Sequence, residues 1–215
     1  LEAYFVTSSL DTKKLPDLYG TGAFPIDYPN AWDRRQGRTG HGIWLHGVPS
    51  NTYSRAPLAT RGCLAMSNPE LDSIKPFMQA GITPVIIASS LNWVTPQQQK
   101  EELEVINQRL DNWLRDWQSR DVETYLKYYS TDFRSDNKNY KIWGQHKRRV
   151  NKHKQFIDVK LNNVSILRYP EKSDMIVVSY EQDYCSNNFN SVAKKRQYWK
   201  KEGDGQWRII YEGKG

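Results

Sequence analysis

Apolar residues along this chain come in two patterns. Up to Ala88 they form short runs parted by Gly, Pro, Asp and Asn; beyond Pro96 they keep first helical and then strand periodicity. In the first pattern, Ala3–Ser8 reads as a strand, and residues 11–41 as a long ordered loop with one strand near Ala23–Ile26. Ile43–Leu45 is a short buried strand that delivers His46 at its end, and residues 47–60 form a second loop punctuated by Pro49 and Pro57. Asn68-Pro69-Glu70 predicts a helix start: a cap residue, proline in the first turn and an acid near the positive end. Leu71, Ile74, Phe77 and Met78 supply its apolar face, Pro76 breaks it and Gly81 stops it. Thr83–Ala88 follows as a buried strand.

In the second pattern, Leu103, Ile106, Leu110, Trp113, Leu114 and Trp117 recur at helical spacing, which predicts a long amphipathic helix over Gln97–Arg120. Asp121 caps a second helix running to Tyr129, and a basic helix covers Tyr140–His153. Four strand-like runs close the chain: Phe156–Tyr169, Met175–Cys185, Ser191–Glu202 and Trp207–Glu212, with Asp204-Gly205 as a hairpin turn. Helices followed by consecutive antiparallel strands make an α+β layout. Periodicity and charge both change at Ser89–Pro96, so the expected division is a domain over 1–90, a linker over 91–96 and a second domain over 97–215.

Charge sharpens that division. The net charge of +7 is carried almost wholly by the second half, +1 for residues 1–95 against +6 for 96–215. Such an excess suggests an anionic partner: nucleic acid, lipid headgroups or the acidic cell-wall polymer. No basic cluster interleaved with aromatics marks a nucleic-acid motif, and none is expected as partner. No run of about 18 apolar residues exists to span a membrane. The first residue is Leu1 and no charged-then-apolar leader follows, so the start reads as processed or cut, which leaves export open. Of the two cysteines, Cys63 and Cys185, sequence leaves open a bridge or two buried thiols. With no Cys-x-x-Cys pair and four scattered His, no zinc site is expected, and no cofactor is called for.

The chemistry concentrates in Ile43–Asn68. A thiol becomes a good nucleophile as the thiolate, which an adjacent base supplies. His46 and Cys63 meet that need if the loop between them returns, and a separation of seventeen residues leaves enough chain to do so. Gly47 lets the backbone turn beside the imidazole. Gly62 lets main chain approach closely, so N–H groups near Gly62–Cys63 are candidates to stabilise a tetrahedral oxyanion.

The residues His46-Gly47, Thr60-Arg61-Gly62-Cys63 and Asn68, supported by Gly20-Thr21-Gly22-Ala23-Phe24-Pro25, Tyr28-Pro29-Asn30 and Arg38-Thr39-Gly40-His41-Gly42, resemble the L,D-transpeptidase (YkuD-type) catalytic domain. That resemblance implies a β-rich fold whose usual sequence has further strands upstream, so residues 1–90 correspond to its C-terminal part. Residues 97–212 resemble NTF2-like α+β cones through Trp113-x3-Trp117, Ser119-Arg120-Asp121-Val122, Tyr125-Leu126, Tyr128-Tyr129, Asp132-Phe133 and Trp207-Arg208-Ile209. The pairing is similar to the cell-shape-determining L,D-carboxypeptidases of helical bacteria.

The resemblance implies a peptidoglycan stem tetrapeptide as substrate, periplasmic localisation, and cleavage before the terminal D-Ala through an acyl-enzyme on Cys63. Many transpeptidases of the family carry Arg two residues after the nucleophile and His before the glycine. Here those positions are Ala65 and Arg61, which favours trimming over cross-linking. A transpeptidase making 3–3 cross-links, an amidase releasing wall-linked protein, and an inert wall-binding protein remain the alternatives. Arg61 and Arg38 are candidates to hold stem carboxylates, with loop-fixing bonds as the alternative. Thr60, Tyr53 and Trp44 are candidates to line the pocket, with core packing the alternative for the aromatics; His41 reads as structural. The basic second domain is expected to help dock the enzyme on wall glycan, and oligomeric state is left open.

Overall fold

The computed structural model describes residues 2–90, 92–170 and 172–215; Leu91, the first residue of the expected linker, lies outside them. The chain divides into two compact units, Leu1–Ile87 and Ala88–Gly215.

The first unit is built from short elements. Strand β1 (Glu2–Phe5) will pair with a strand at the unit's far end, and β2 (Ala23–Pro25) follows after two single-turn helices at Thr12–Lys14 and Asp17–Tyr19. The predicted first strand stops at Phe5, and Val6 makes a lone bridge to Ile26. Helix α1 (Ala31–Arg35) interrupts the stretch expected to be loop. It stands on a capping box in which Asn30 Oδ1 accepts from the Asp33 N–H at 2.9 Å and Asp33 Oδ2 accepts from the Asn30 N–H at 3.0 Å. Strands β3 (Trp44–His46) and β4 (Leu64–Ala65) run parallel, and β2 joins β3 antiparallel.

Helix α2 (Asn68–Ile74) begins one residue earlier than expected. Ser67 is the cap, exchanging bonds with Glu70, and this frees the Asn68 side chain for another use. Pro76 ends α2 in a single turn at Lys75–Phe77, and β5 (Pro84–Ile87) pairs antiparallel with β1. Val6, Phe24 and Leu71 are fully buried between these pieces.

In the second unit, α3 (Pro96–Gln118) carries the predicted apolar stripe and buries Ile106, Leu110, Trp113 and Trp117. Asp121 Oδ1 accepts from the N–H groups of Glu123 and Thr124 and starts α4 (Val122–Leu126). That helix stops short of Tyr129, which instead opens β6 (Tyr129–Ser135). Strand β7 (Lys138–Asn139) and α5 (Tyr140–Asn151) follow. Then come β8 (Ile157–Arg168), β9 (Met175–Ser186), β10 (Phe189–Lys201) and β11 (Trp207–Lys214). The six-stranded sheet has the order β7-β6-β11-β10-β9-β8, with β6 parallel to β11 and the other pairs antiparallel.

Buried aromatics fill the space between this sheet and the helices, each contributing roughly 1.5–3 kcal/mol by leaving water. A chain of polar atoms inside is paired, while Trp143 Nε1 and Tyr180 Oη are buried without a hydrogen-bond partner among the described residues. Tyr129 Oη and Gln197 Nε2 each donate to Glu212 Oε2 at 2.9 Å, and Trp199 Nε1 donates to Gln197 Oε1 at 2.9 Å. Trp113 Nε1 donates to Tyr129 Oη at 3.3 Å, and the Tyr125 hydroxyl bonds the same oxygen.

Candidate active site

His46 ends β3 with only 3% of its surface exposed. Its Nδ1 lies 2.6 Å from the Gly47 carbonyl oxygen. A carbonyl can only accept, so the proton sits on Nδ1 and the Nε2 lone pair is free to act as a base. Tyr19 stands edge-on to the imidazole at 5.2 Å between ring centres and packs on Trp44 at 4.9 Å. Burial lowers the pKa of His46; the Gly47 bond opposes that shift, and the positive charge of Arg55 adds to it. The ring therefore rests neutral.

The loop after His46 is pinned by Asn68. Its Oδ1 accepts from the N–H groups of Thr21 at 3.2 Å and Val48 at 3.1 Å, and its Nδ2 donates to the Val48 carbonyl at 2.9 Å. Gly47 N–H donates to the carbonyls of Tyr19 and Gly22, and a Cβ on Gly47 would collide with the Asn68 amide. The glycine is thus required for the tight fit that aims its own carbonyl at the imidazole.

Cys63 immediately precedes β4. Parallel pairing sets Leu45 opposite Leu64 and His46 opposite Ala65, and the Met66 N–H donates to the His46 carbonyl at 3.1 Å. Side chains alternate along a strand, so Cys63 falls on the face of Ala65 and hence of His46. Strands ~4.8 Å apart with a rise of ~3.3 Å per residue put the two Cα atoms about 8 Å apart. No hydrogen bond joins the thiol to the imidazole; the Cys63 Sγ donates to the Gly42 carbonyl at 3.6 Å. The turn that presents the thiol is held by Thr60, whose hydroxyl donates to the Cys63 carbonyl at 2.6 Å. Gly62 has φ of +101°, and a Cβ there would press on Ile43 Cδ1 at 2.8 Å. Among the described residues, the N–H groups of Gly62 and Cys63 have no acceptor, which leaves both available to an oxyanion. Both cysteines are free thiols.

The structure therefore brings together His46, Gly47, Thr60, Gly62 and Cys63. Other expected site residues are placed differently. Arg38 Nη1 lies 2.9 Å from Asp33 Oδ1 on the capping box of α1. Arg61 and His41 are exposed, Tyr53 is 76% exposed, and Trp44 is partly buried against Tyr19. Sequence reasoning missed Tyr19, the pinning role of Asn68, and Arg55. The available signal for Arg55 was that it is the only basic residue in the loop 47–60. A cavity of about 340 Å³ opens at Cys63, walled by Arg55, Pro57, Leu58, Thr60 and Ala65 among others.

The second unit has its own cavity of about 620 Å³, lined by Trp117, Trp143, Lys147, Lys154, Tyr184 and Glu212 among others. The Lys147 ammonium lies over Trp143, Trp117 and Tyr125, at 4.4, 4.8 and 5.2 Å from the ring centres. Burial pushes its pKa down to about 8, against the raising effect of Glu212.

Comparison with known proteins separates the same two regions. The L,D-transpeptidase catalytic domain, YkuD, matches residues 4–87, and the Cds6 C-terminal NTF2-like domain matches residues 105–213. The structure of Bdellovibrio bacteriovorus Bd1075 is 30% identical with a TM-score of 0.82, covering 100% of this chain and 78% of that one. The helical cell shape determining protein Pgp2 from Campylobacter jejuni is 26% identical with a TM-score of 0.76, covering 99% of this chain and 74% of that one. No curated protein sequence matches the chain.

Proposed function

The chain belongs to the L,D-transpeptidase-type (YkuD) enzymes that carry a Cds6-type NTF2-like domain, and from that premise we propose that it is a cysteine L,D-carboxypeptidase of peptidoglycan. The substrate is the stem tetrapeptide and the product the tripeptide with free D-Ala. It acts as an exported, periplasmic protein. Shortened stems can no longer serve as acyl donors for cross-linking, which connects the activity to cell shape, the property named for its Campylobacter relative.

The observation that carries this reading is the Nδ1 bond to the Gly47 carbonyl, which leaves Nε2 as a base on the face shared with Cys63. His46 takes the thiol proton as the Cys63 sulfur leaves the Gly42 carbonyl and attacks the carbonyl carbon before D-Ala. The N–H groups of Gly62 and Cys63 receive the oxyanion; one such donor is worth roughly 3–4 kcal/mol in well-studied cases. Collapse breaks the C–N bond, the imidazolium proton goes to the departing amine, and a thioester remains. His46 then takes a proton from water, whose oxygen attacks the thioester, and the proton returns to the sulfur as the tripeptide carboxylate leaves. Ala65 opposite His46 adds no cation beside the thioester, which supports water rather than a bound second stem as acceptor.

Digestion of purified sacculi by the full chain and by Cys63→Ala, followed by muropeptide separation, tests the reading. Tripeptides and free D-Ala rise with the wild type only. New 3–3 dimers in place of tripeptides overturn hydrolysis in favour of transfer, and identical profiles for the two proteins overturn the catalytic role of Cys63.

A further inference from the structure

We propose that Arg55 is the residue that binds the terminal carboxylate of the leaving D-amino acid, making the cavity at Cys63 a subsite for a short apolar residue ending in a free acid. This assignment rests on the carboxypeptidase reading for its substrate. It rests on the cavity itself for its chemistry.

Arg55 is partly buried and lines the same cavity as Cys63. Its guanidinium has no hydrogen-bond or ion-pair partner among the described residues. A partly buried guanidinium with its five donors unspent is costly unless a ligand completes it. Other arginines of this unit are committed: Arg38 to the Asp33 carboxylate and Arg34 to the Pro29 carbonyl. Arg61 is unspent as well, but it is exposed, where solvent competes for the same anion.

The rest of the wall decides what kind of anion fits. Ala56, Pro57, Leu58, Ala59, Leu64 and Ala65 present methyl and methylene groups. Thr60 is the other polar lining residue besides the thiol, and its hydroxyl is committed to the Cys63 carbonyl. One cation and one nucleophile across an apolar wall match a small aliphatic residue with a carboxylate next along from the scissile nitrogen. A stem continuing into a further amino acid places an uncharged amide there instead, so the site discriminates between tetrapeptide and longer stems. Occupancy has a second effect, because Arg55 helps hold His46 neutral. Pairing that charge with a carboxylate lets the imidazole bind a proton more readily, at the stage when it must accept one from Cys63.

The test measures binding, so that it does not depend on turnover. In a Cys63→Ala background, the dissociation constants of a stem tetrapeptide and its C-terminal carboxamide are compared with and without Arg55→Gln. The expected result is that the acid binds about 10- to 100-fold more tightly than the amide when Arg55 is present and nearly equally when it is Gln. Arg55→Lys retains part of the preference, since it keeps the charge and loses the fork. An undiminished acid preference in Arg55→Gln overturns the assignment, as does equal binding of acid and amide with Arg55 in place. Preference lost with Arg55 while the wild type releases no D-Ala sinks the carboxypeptidase reading and leaves the carboxylate site standing.

Discussion

The two units hold their key residues by different means. In the second, strands of 12 and 13 residues pair along most of their length, and a continuous aromatic core lies beneath them. In the first, the strands that carry His46 and lead out of Cys63 are three and two residues long. Ladders so short fix little geometry by themselves. The work passes to single side chains bonded to distant backbone: Asn68 to Thr21 and Val48, Thr60 to Cys63, Asn30 to Ala3. A packed core tolerates the loss of any one polar contact better than a pinned loop does. A pinned loop, in exchange, can present a thiol and open N–H groups at the edge of a small cavity and fix an imidazole on the neighbouring strand.

The largest effect expected from breaking this contrast is in the aromatic core. Trp113 is completely buried, packs within 5.3 Å of the Trp117 ring and donates to Tyr129. Trp113→Ala should destabilise the second unit by about 3–5 kcal/mol in urea unfolding, through the cavity it opens and the hydrogen bond it deletes. A loss below about 1 kcal/mol would mean that this core is not what holds the sheet to its helices.

A smaller loss of stability with a larger functional consequence is expected at Asn68. Asn68→Ala removes three hydrogen bonds and strands the N–H groups of Thr21 and Val48, for a cost of about 2–3 kcal/mol. Because Val48 follows the carbonyl that orients His46, D-Ala release should also slow by about 10-fold in kcat at saturating substrate. Stability lost with kcat unchanged would show that the Gly47 carbonyl keeps its aim without this pin.

The contrast also explains what the sequence disclosed. Long-range regularity was legible: the stripe from Ile106 to Trp117 and the four closing strands follow from periodicity, because one face of each meets a continuous core. Residue chemistry singles out His46 and Cys63 as a candidate pair, and the parallel register of the strand ending at His46 with the strand that follows Cys63 is what the structure adds to it. The pins were not legible. Helix α1 is five residues long, and only the Asn30–Asp33 spacing announces it. Tyr125, Tyr128 and Tyr129 suit a helical face as well as a strand, and the pairing of Tyr129 with Ile209 that decides for the strand is non-local. Nothing in the sequence marks Asp33, five residues earlier, as the carboxylate that pairs with Arg38. Arg55 belongs to no motif and is set apart in sequence only as the one basic residue of its loop; its lack of a partner among the described residues shows only in the fold.

The finest test asks whether the second unit's core is also dry where it meets its cavity. Lys147 has a folded pKa near 8, below the ordinary lysine value near 10.5, with burial as the main cause. The unfolded chain therefore binds more protons between those values, and wild-type stability gains from this group as pH rises through about 8 to 10. Below about 8 the ammonium is charged in both states and its full desolvation penalty opposes folding, offset in part by the Trp117, Tyr125 and Trp143 rings. Lys147→Met should therefore be more stable than wild type by about 1 kcal/mol at pH 7, and this advantage should shrink toward pH 10. Parallel stability curves for the two proteins across that range would place the ammonium in water, making the aromatic cavity a wet surface groove and narrowing the contrast with the pinned first unit.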